Sequence, residues 1–136
     1  EHVAESDDRV RYRAPGDHAT VVDLLDREGE FGREGVGTIH HVAFRVDDGD
    51  LREWHDLFRD RDVRVSRIRD RHYYRAIYVR EPGGVLIELA TESPGLTVDE
   101  DAADLGGSLV LPPWAEQDRE MIEGQLPPIE VPHRDG

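Results

Sequence analysis

With 136 residues and a formal net charge of -14, the chain is long enough to bury one core and is strongly acidic. Such a charge repels phosphate backbones and anionic lipid head groups, which argues against nucleic acid and membrane surfaces as partners. Because the sequence contains no cysteine, disulfides and thiolate metal sites are excluded, and any metal must be held by histidine and carboxylates.

All 17 basic residues of the chain are arginine, and lysine is absent. Acidity spread along an otherwise patterned chain favours a halophilic source, since molar salt screens the repulsion between like charges. An ordinary acidic protein from an arginine-biased genome is the alternative. The sequence shows neither a run of about 18 apolar residues nor a charged and then apolar leader, so a cytoplasmic location is expected.

The first part of the chain contains two short strand-like runs, 10–14 and 20–25. The turn-forming sequence Pro15-Gly16-Asp17 separates them, which predicts a hairpin. Glycines and charges then fill 28–37, as in a connection between structural units. A boundary near residue 36 is therefore expected.

The run 38–46 has the β-branched and aromatic content of a strand. Side chains alternate between the two faces of a strand. One face is expected to carry His40, Val42, Phe44 and Val46, and the other Ile39, His41, Ala43 and Arg45. The two histidines are therefore predicted to point in opposite directions.

A helix is predicted next, because apolar residues recur at helical spacing at Leu51, Trp54, Leu57 and Phe58. Asp50 and Glu53 match the pattern of a capping pair at its start, and the helix is expected to end near Asp62.

Three further strands are predicted at 63–69, 73–80 and 85–91, separated by turns at 70–72 and 81–84. Beyond residue 91 the sequence becomes loop-like. A closing helix is predicted at 114–126, because proline pairs stand before and after it, and 129–136 is expected to be a polar tail.

Two polar residues interrupt apolar strands and are the first candidates for chemistry. Burial of a lone carboxylate is costly, so Glu88 requires a cationic partner, which is either a metal ion or an arginine such as Arg75 or Arg80. His41 alone would be weak evidence, since strand histidines are more often hydrogen-bonded core or rim residues. An imidazole and a carboxylate on strands of one strand-helix-three-strand unit are nevertheless two parts of the 2-His-1-carboxylate set of non-haem iron.

Two stretches of sequence carry a resemblance to a known family. The first is Asp70-Arg-His-Tyr-Tyr-Arg-Ala-Ile-Tyr-Val-Arg-Glu-Pro-Gly-Gly-Val-Leu-Ile-Glu-Leu-Ala-Thr91. The second is a series of short motifs: Pro94-Gly95, Asp99-Glu100, Leu105-Gly106, Leu111-Pro-Pro113, Glu116, Arg119, Ile122-Glu123 and Leu126-Pro127. The unit 37–91 resembles a βαβββ module of the vicinal oxygen chelate superfamily, which includes glyoxalases and extradiol dioxygenases. The longer pattern, over roughly 37–128, is similar to hydroquinone-type ring-cleaving dioxygenases.

This resemblance implies roles for five residues. His41 and Glu88 would bind iron(II), or another divalent metal, and Tyr78, Arg71 and His40 resemble groups that orient or protonate an aromatic diol and the oxygen-derived intermediate. The alternatives are core packing for Tyr78, a solvated turn position or a pairing with Asp70 for Arg71, and sheet packing for His40. The third ligand would be a histidine from an N-terminal module, and the other histidines lie outside any equivalent strand: His2, His18, His55, His72 and His133.

The resemblance also implies an α+β fold in three parts. Residues 1–36 would be the tail of a preceding module, 37–92 the βαβββ metal-binding module, and 93–136 a C-terminal extension with one helix. The implied function is that of the C-terminal part of an iron(II)-dependent dioxygenase, which opens the ring of a hydroquinone- or catechol-like diol with O2. The site would be completed by N-terminal modules of the same enzyme.

Three other functions remain open at this stage. One is a glyoxalase-like isomerase or lyase that uses another divalent ion, because the fold is shared across such chemistries. A second is a metal-free small-molecule-binding module in which Glu88 pairs only with arginine. In the third, the chain forms a homodimer and closes its open sheet against a second copy, which makes a pocket without native activity.

Overall fold

The computed structural model describes residues 1–16, 20–29, 33 and 35–128. Contacts divide the chain into two compact units, Glu1–Thr38 and Ile39–Gly136, and each unit has its own β-sheet. No helix within the described ranges is long and apolar enough to span a membrane. Several sequence predictions fall outside those ranges: Asp17 in the first turn, four positions of the connection 28–37, His18, His133 and the polar tail.

The first unit is an antiparallel sheet of three strands in the order β1-β2-β3, formed by His2–Ser6, Arg9–Arg13 and Val21–Leu25. Strands β2 and β3 correspond to the two predicted runs and pair as a hairpin. The sequence does not predict β1, because only two of its five residues, Val3 and Ala4, are apolar.

The contacts between β2 and β3 are partly electrostatic. Arg11 is directly opposite Asp23, and its Nε and Nη2 atoms each donate to a carboxylate oxygen at 2.7 Å. Arg9 Nη1 donates to the same carboxylate at 3.1 Å. The hydrogen bond with Arg11 is the largest influence that lowers the pKa of Asp23, and the same bond raises the pKa of Arg11. No described residue of this unit is buried, so the sheet has little apolar core of its own.

The second unit contains a four-stranded sheet in the order β4-β7-β6-β5. The strands are Val42–Arg45, Arg69–Asp70, Arg75–Arg80 and Leu86–Ala90, numbered β4 to β7 in chain order, and helix α1 spans Leu51–Asp60 between the first two. Only the β4–β7 pair is parallel. The strand, helix, three-strand order and the α+β fold class are therefore confirmed.

Helix α1 packs on one face of this sheet and forms the core. Leu51, Ile77 and Leu89 are buried there, and Ile77 and Leu89 are directly opposed on β6 and β7. Partly buried apolar side chains surround them: Phe44, Val46, Phe58, Val65, Ile68 and Ile87. Because side chains alternate along a strand, the neighbours of Ile77 and Leu89 in sequence, Tyr78 and Glu88, belong to the opposite face.

Several predicted element boundaries are wrong. The run 63–69 is mostly irregular, with a single bridge from Val65 to Val79 and a two-residue β5. Ser66 replaces part of the expected ladder, because its backbone NH donates to Tyr78 O and its hydroxyl accepts from Tyr78 N. Asp50 is the N-cap of α1 but makes no side-chain capping hydrogen bond, so the predicted capping pair is not formed.

The C-terminal helix is shorter than predicted. Helix α2 spans Arg119–Gln125 and follows a 3-10 turn at Glu116–Asp118. Before it, Ala115 N donates to Pro112 O and Asp118 N donates to Ala115 O. These bonds span three residues rather than four, so the segment winds as tight turns and not as an α-helix. Another 3-10 turn, Leu96–Val98, lies between β7 and this segment.

Candidate metal centre

Glu88 lies at the middle of β7, where two neighbouring strands place residues beside it. Tyr78 on β6 and Ala43 on β4 are its register partners. Directly opposed residues share a face of the sheet, so Glu88 shares the face of Tyr78. Only 2% of Glu88 is exposed, which makes its hydrogen-bond partners decisive for the stability of a charge at that position.

Both carboxylate oxygens of Glu88 have partners. His41 Nε2 lies 2.8 Å from Oε2, and the Tyr78 hydroxyl donates to Oε1 at 2.6 Å. Neither arginine considered from the sequence reaches this carboxylate. Arg75 lies 3.7 Å from an Asp48 oxygen, and Arg80 donates to Gly84 O at 2.5 Å. Of the two alternatives left open by the sequence, the structure therefore does not support an ion pair of Glu88 with Arg75 or Arg80.

The two adjacent histidines contact each other, contrary to the sequence prediction. The Nδ1 atoms of His40 and His41 lie 2.9 Å apart, and the rings meet edge to face with centroids separated by 5.2 Å. Strand β4 begins only at Val42, so strand alternation does not govern either histidine. One Nδ1 donates to the other, which orients the His41 ring and leaves its Nε2 directed at Glu88.

Arg71 and Tyr78 extend the polar cluster away from Glu88. Arg71 Nη2 donates to the Tyr78 hydroxyl at 3.3 Å, and the guanidinium carbon lies 5.5 Å from the centre of the Tyr78 ring. Burial is the largest influence that raises the pKa of Tyr78, the hydrogen bond to Glu88 raises it further, and Arg71 opposes both. The hydrogen bond with Tyr78 raises the pKa of Arg71. The pair is therefore a neutral phenol beside a permanent cation.

The donor set fits part of a metal centre. Two ligand atoms at right angles, each about 2.1 Å from an ion, are separated by about 3 Å. The 2.8 Å between His41 Nε2 and Glu88 Oε2 is close to that separation. Hydrogen bonds hold the second nitrogen of the imidazole and the second oxygen of the carboxylate, as is usual around protein-bound metals. Among the described residues, no group of three or more potential ligands is found, so this part supplies two.

The remaining described histidines are paired elsewhere. His2 lies 3.8 Å from Glu5, His55 lies 3.2 Å from Asp56, and His72 lies 2.9 Å from Asp99. None of the three contacts Glu88.

One contact of the site could have been found from the sequence. A hairpin whose turn is centred on Gly83 places Tyr78 directly opposite Glu88, since the two residues are equally distant from that turn. The Arg71–Tyr78 and His40–His41 contacts carry no comparable sequence signal, because both involve residues outside the regular strands.

The fold and the paired imidazole and carboxylate define a class of protein. A family model described as the Glyoxalase/Bleomycin resistance protein/Dioxygenase superfamily matches residues 1–89. The chain belongs to this superfamily, which confirms the resemblance to the vicinal oxygen chelate proteins.

Individual relatives share the sequence over most of the chain. The Bacillus subtilis protein named "Putative ring-cleaving dioxygenase MhqO" is 42% identical over 132 residues, which are 96% of this chain and 42% of that protein. The chlorohydroquinone/hydroquinone 1,2-dioxygenase of Sphingobium indicum is 36% identical over 107 residues, which are 74% of this chain and 33% of that enzyme. The chain thus spans about two fifths or less of the length of these curated relatives.

Solved structures agree with the fold. The crystal structure of a Bacillus subtilis protein described as a putative dioxygenase has a TM-score of 0.89 and 41% identity. It is matched over 98% of this chain and 44% of that one. Lactoylglutathione lyase from Agrobacterium tumefaciens has a TM-score of 0.50 at 20% identity, over 67% of this chain and 74% of that one, and shows the fold alone.

Proposed function

We propose that this chain is the C-terminal part of an iron(II)-dependent dioxygenase, which opens the ring of a hydroquinone- or catechol-like diol with O2. The observation that carries the proposal is the 2.8 Å approach of His41 Nε2 to a buried Glu88 carboxylate that pairs with no arginine in the part of the chain the structure describes. The names of the relatives support ring cleavage as the chemistry.

In this proposal His41 and Glu88 hold the metal, and each is oriented by one neighbour. His40 holds the second nitrogen of His41, and Tyr78 holds Glu88 Oε1, so that Oε2 alone faces the ion. Iron(II) held by these residues would supply open coordination positions for a phenolate oxygen and dioxygen, and a route for electrons between them.

Tyr78 and Arg71 would act on the substrate side of the site. The raised pKa of Tyr78 keeps a proton on its hydroxyl at neutral pH. That proton, which Glu88 Oε1 accepts in this structure, could be redirected to a substrate oxygen that gains negative charge. Arg71 adds a fixed positive charge next to that hydroxyl. Each group is thus suited to stabilise charge that develops on a bound diol.

The third protein ligand in this proposal is a histidine from a preceding module, to which residues 1–36 would belong. The share of the relatives' length that the chain spans leaves room for such modules. The identity of that ligand belongs to the longer protein.

The first test is metal binding and turnover by the intact protein that contains this chain. We expect anaerobically purified protein to bind one iron(II) and to consume hydroquinone and O2 in equal amounts, with a product that carries two added oxygen atoms. His41→Ala and Glu88→Gln should each lower iron affinity at least about tenfold, because each removes a ligand. His55→Ala and Glu53→Gln, on helix α1, are the matched controls.

The other outcomes identify the competing functions. A rearranged product formed without O2 uptake would indicate a glyoxalase-like isomerase or lyase. Retention of the aromatic compound without bound metal would indicate a metal-free binding module. Iron affinity that survives both ligand substitutions would contradict the assignment of His41 and Glu88.

A further inference from the structure

The turn between β5 and β6 carries Arg71, and its backbone is held in an unusual conformation. His72, the next residue, has a φ of +70°, which a non-glycine residue adopts rarely and usually where surrounding contacts enforce it. Two hydrogen bonds close the turn around it. Asp70 Oδ1 accepts from His72 N at 2.8 Å, and Arg71 N donates to Tyr74 O at 2.9 Å.

The segment that follows the βαβββ unit contacts this turn at several points. His72 Nε2 lies 2.9 and 3.0 Å from the two carboxylate oxygens of Asp99. Gly95 N donates to Tyr73 O at 2.8 Å, and the Trp114 ring meets the His72 ring edge to face at 6.3 Å. These contacts come from three places in the segment 95–114, so the turn is fixed from outside the sheet.

The neighbouring side chains of Arg71 and His72 contact different parts of the molecule. His72 binds the C-terminal segment, while Arg71 donates to the Tyr78 hydroxyl, which in turn donates to Glu88. A shift of the turn backbone at His72 therefore displaces the guanidinium that sits over Tyr78. Because His72 holds an uncommon φ, loss of the contact with Asp99 removes one of the contacts that keep the turn in this conformation.

We propose that His72 and Asp99 are positioning residues, and that their contact holds Arg71 against the Tyr78 hydroxyl. The inference rests on the proposed function, because it gives the C-terminal segment a part in the chemistry at Glu88. His72 itself touches neither Glu88 nor His41, so its effect on turnover must pass through Arg71.

The position of the Arg71 guanidinium can be measured without metal or substrate. In the intact metal-free protein labelled with 15N-arginine, Arg71→Lys assigns the Nε–Hε resonance of Arg71. We expect His72→Asn and Asp99→Asn to move this resonance towards that of an exposed arginine, because contact with the Tyr78 ring is lost. Asparagine tolerates positive φ, so His72→Asn removes the contact with little added backbone strain. His55→Asn, which breaks the unrelated pair with Asp56, should leave the resonance in place.

Turnover of hydroquinone by the iron-loaded intact protein supplies the second readout. Displacement of a catalytic group by about 1 Å can cost up to about a hundredfold in rate. We expect His72→Asn to lower kcat about ten- to hundredfold in the native background, and less than about twofold when Arg71→Met is already present. A role in folding alone would lower kcat by the same factor in both backgrounds.

The two measurements distinguish failure of the positioning role of His72 and Asp99 from failure of the proposed dioxygenase function. An Arg71 resonance that stays in place in both His72→Asn and Asp99→Asn would overturn the positioning role, whatever the enzyme catalyses. Equal losses of kcat with and without Arg71 would do the same. Absence of ring cleavage by the unsubstituted protein would instead overturn the proposed function, and the resonance would still report whether the contact positions Arg71.

Discussion

Glu88 shows how a carboxylate is accommodated in a buried strand position. One oxygen accepts from the Tyr78 hydroxyl and the other faces His41, so neither is left without a partner. No buried side-chain nitrogen or oxygen atom in the described residues lacks a hydrogen bond. A buried carboxylate costs several kcal/mol or more if it loses such bonds, which makes Tyr78 important to stability as well as to the site.

Replacement of Tyr78 by phenylalanine tests this dependence. The substitution keeps the ring but leaves Glu88 Oε1 without its donor, so we expect the free energy of unfolding to fall by about 1–3 kcal/mol. Urea unfolding of the metal-free protein measures the change. Tyr12→Phe is the control, because the Tyr12 hydroxyl has no hydrogen bond with any described residue, and it should have little effect. A similar loss in both variants would show that Glu88 does not depend on Tyr78.

The β2–β3 hairpin relies on a charged cross-strand pair more than on burial. Asp23 accepts from Arg11 and Arg9, and the strands around it carry exposed apolar side chains such as Val22 and Leu24. Cross-strand contacts of opposite charge stabilise antiparallel sheets. In a sheet without a buried core, such a pair sets the register that apolar packing would otherwise determine.

The Arg11–Asp23 pair predicts that the free energy of unfolding depends on pH. The hydrogen bond from Arg11 lowers the pKa of Asp23 in the folded sheet below the value of about 3.9 that it has when unfolded. Its stabilising contribution is therefore complete above about pH 4 and is lost as the pH falls through the folded pKa. We expect Asp23→Asn to be less stable than the unsubstituted protein at neutral pH, and the difference to shrink in more acidic solution.

Urea unfolding of both proteins at a series of pH values measures the effect. Asp26→Asn, at an exposed position just after β3, provides the control and should not reproduce the pattern. A difference between Asp23→Asn and the unsubstituted protein that stays constant down to about pH 2 would contradict the assigned pairing.

The net charge of -14 affects the protein as a whole. Ion pairs such as Arg11–Asp23 neutralise individual carboxylates, but 31 acidic residues face only 17 arginines. Like charges on a folded surface repel one another and destabilise the compact state. Salt shortens the range of that repulsion, from about 10 Å at 0.1 M to about 3 Å at 1 M.

We therefore expect potassium chloride to stabilise the protein. Between about 0.1 and 2 M salt, Tm should rise by at least about 4 °C, which corresponds to roughly 1 kcal/mol for a domain of this size. Differential scanning calorimetry measures the rise. Replacement of the exposed Glu28, Glu53 and Glu120 by glutamine should reduce it, because fewer charges need screening. A Tm that is flat or falls with salt would contradict the expectation.

Local sequence patterns were sufficient to predict most of the strands and helix α1. Strand-like runs bounded by turn-forming residues predicted β3, β6 and β7 to within two residues, and helical spacing predicted α1. The isolated carboxylate in β7 marked Glu88, because a charge among apolar strand residues requires a partner whatever the surrounding fold. These features depend on neighbours in sequence, so a single chain is enough to predict them.

Contacts between residues far apart in sequence determined the irregular segments and most of the contacts at the candidate site. Ser66 bonds to Tyr78 in place of a regular ladder, His40 turns towards His41 outside β4, and the His72 ring contacts Asp99, which lies 27 residues away. Each arrangement depends on which groups the folded chain brings together, and the energies involved are larger than local propensities. The sequence therefore identified residue types suited to metal binding and, through the hairpin register, contained the pairing of Tyr78 with Glu88. The packed structure decided that His41, and no arginine among the described residues, contacts Glu88, because only folding brings the residue just before β4 beside β7.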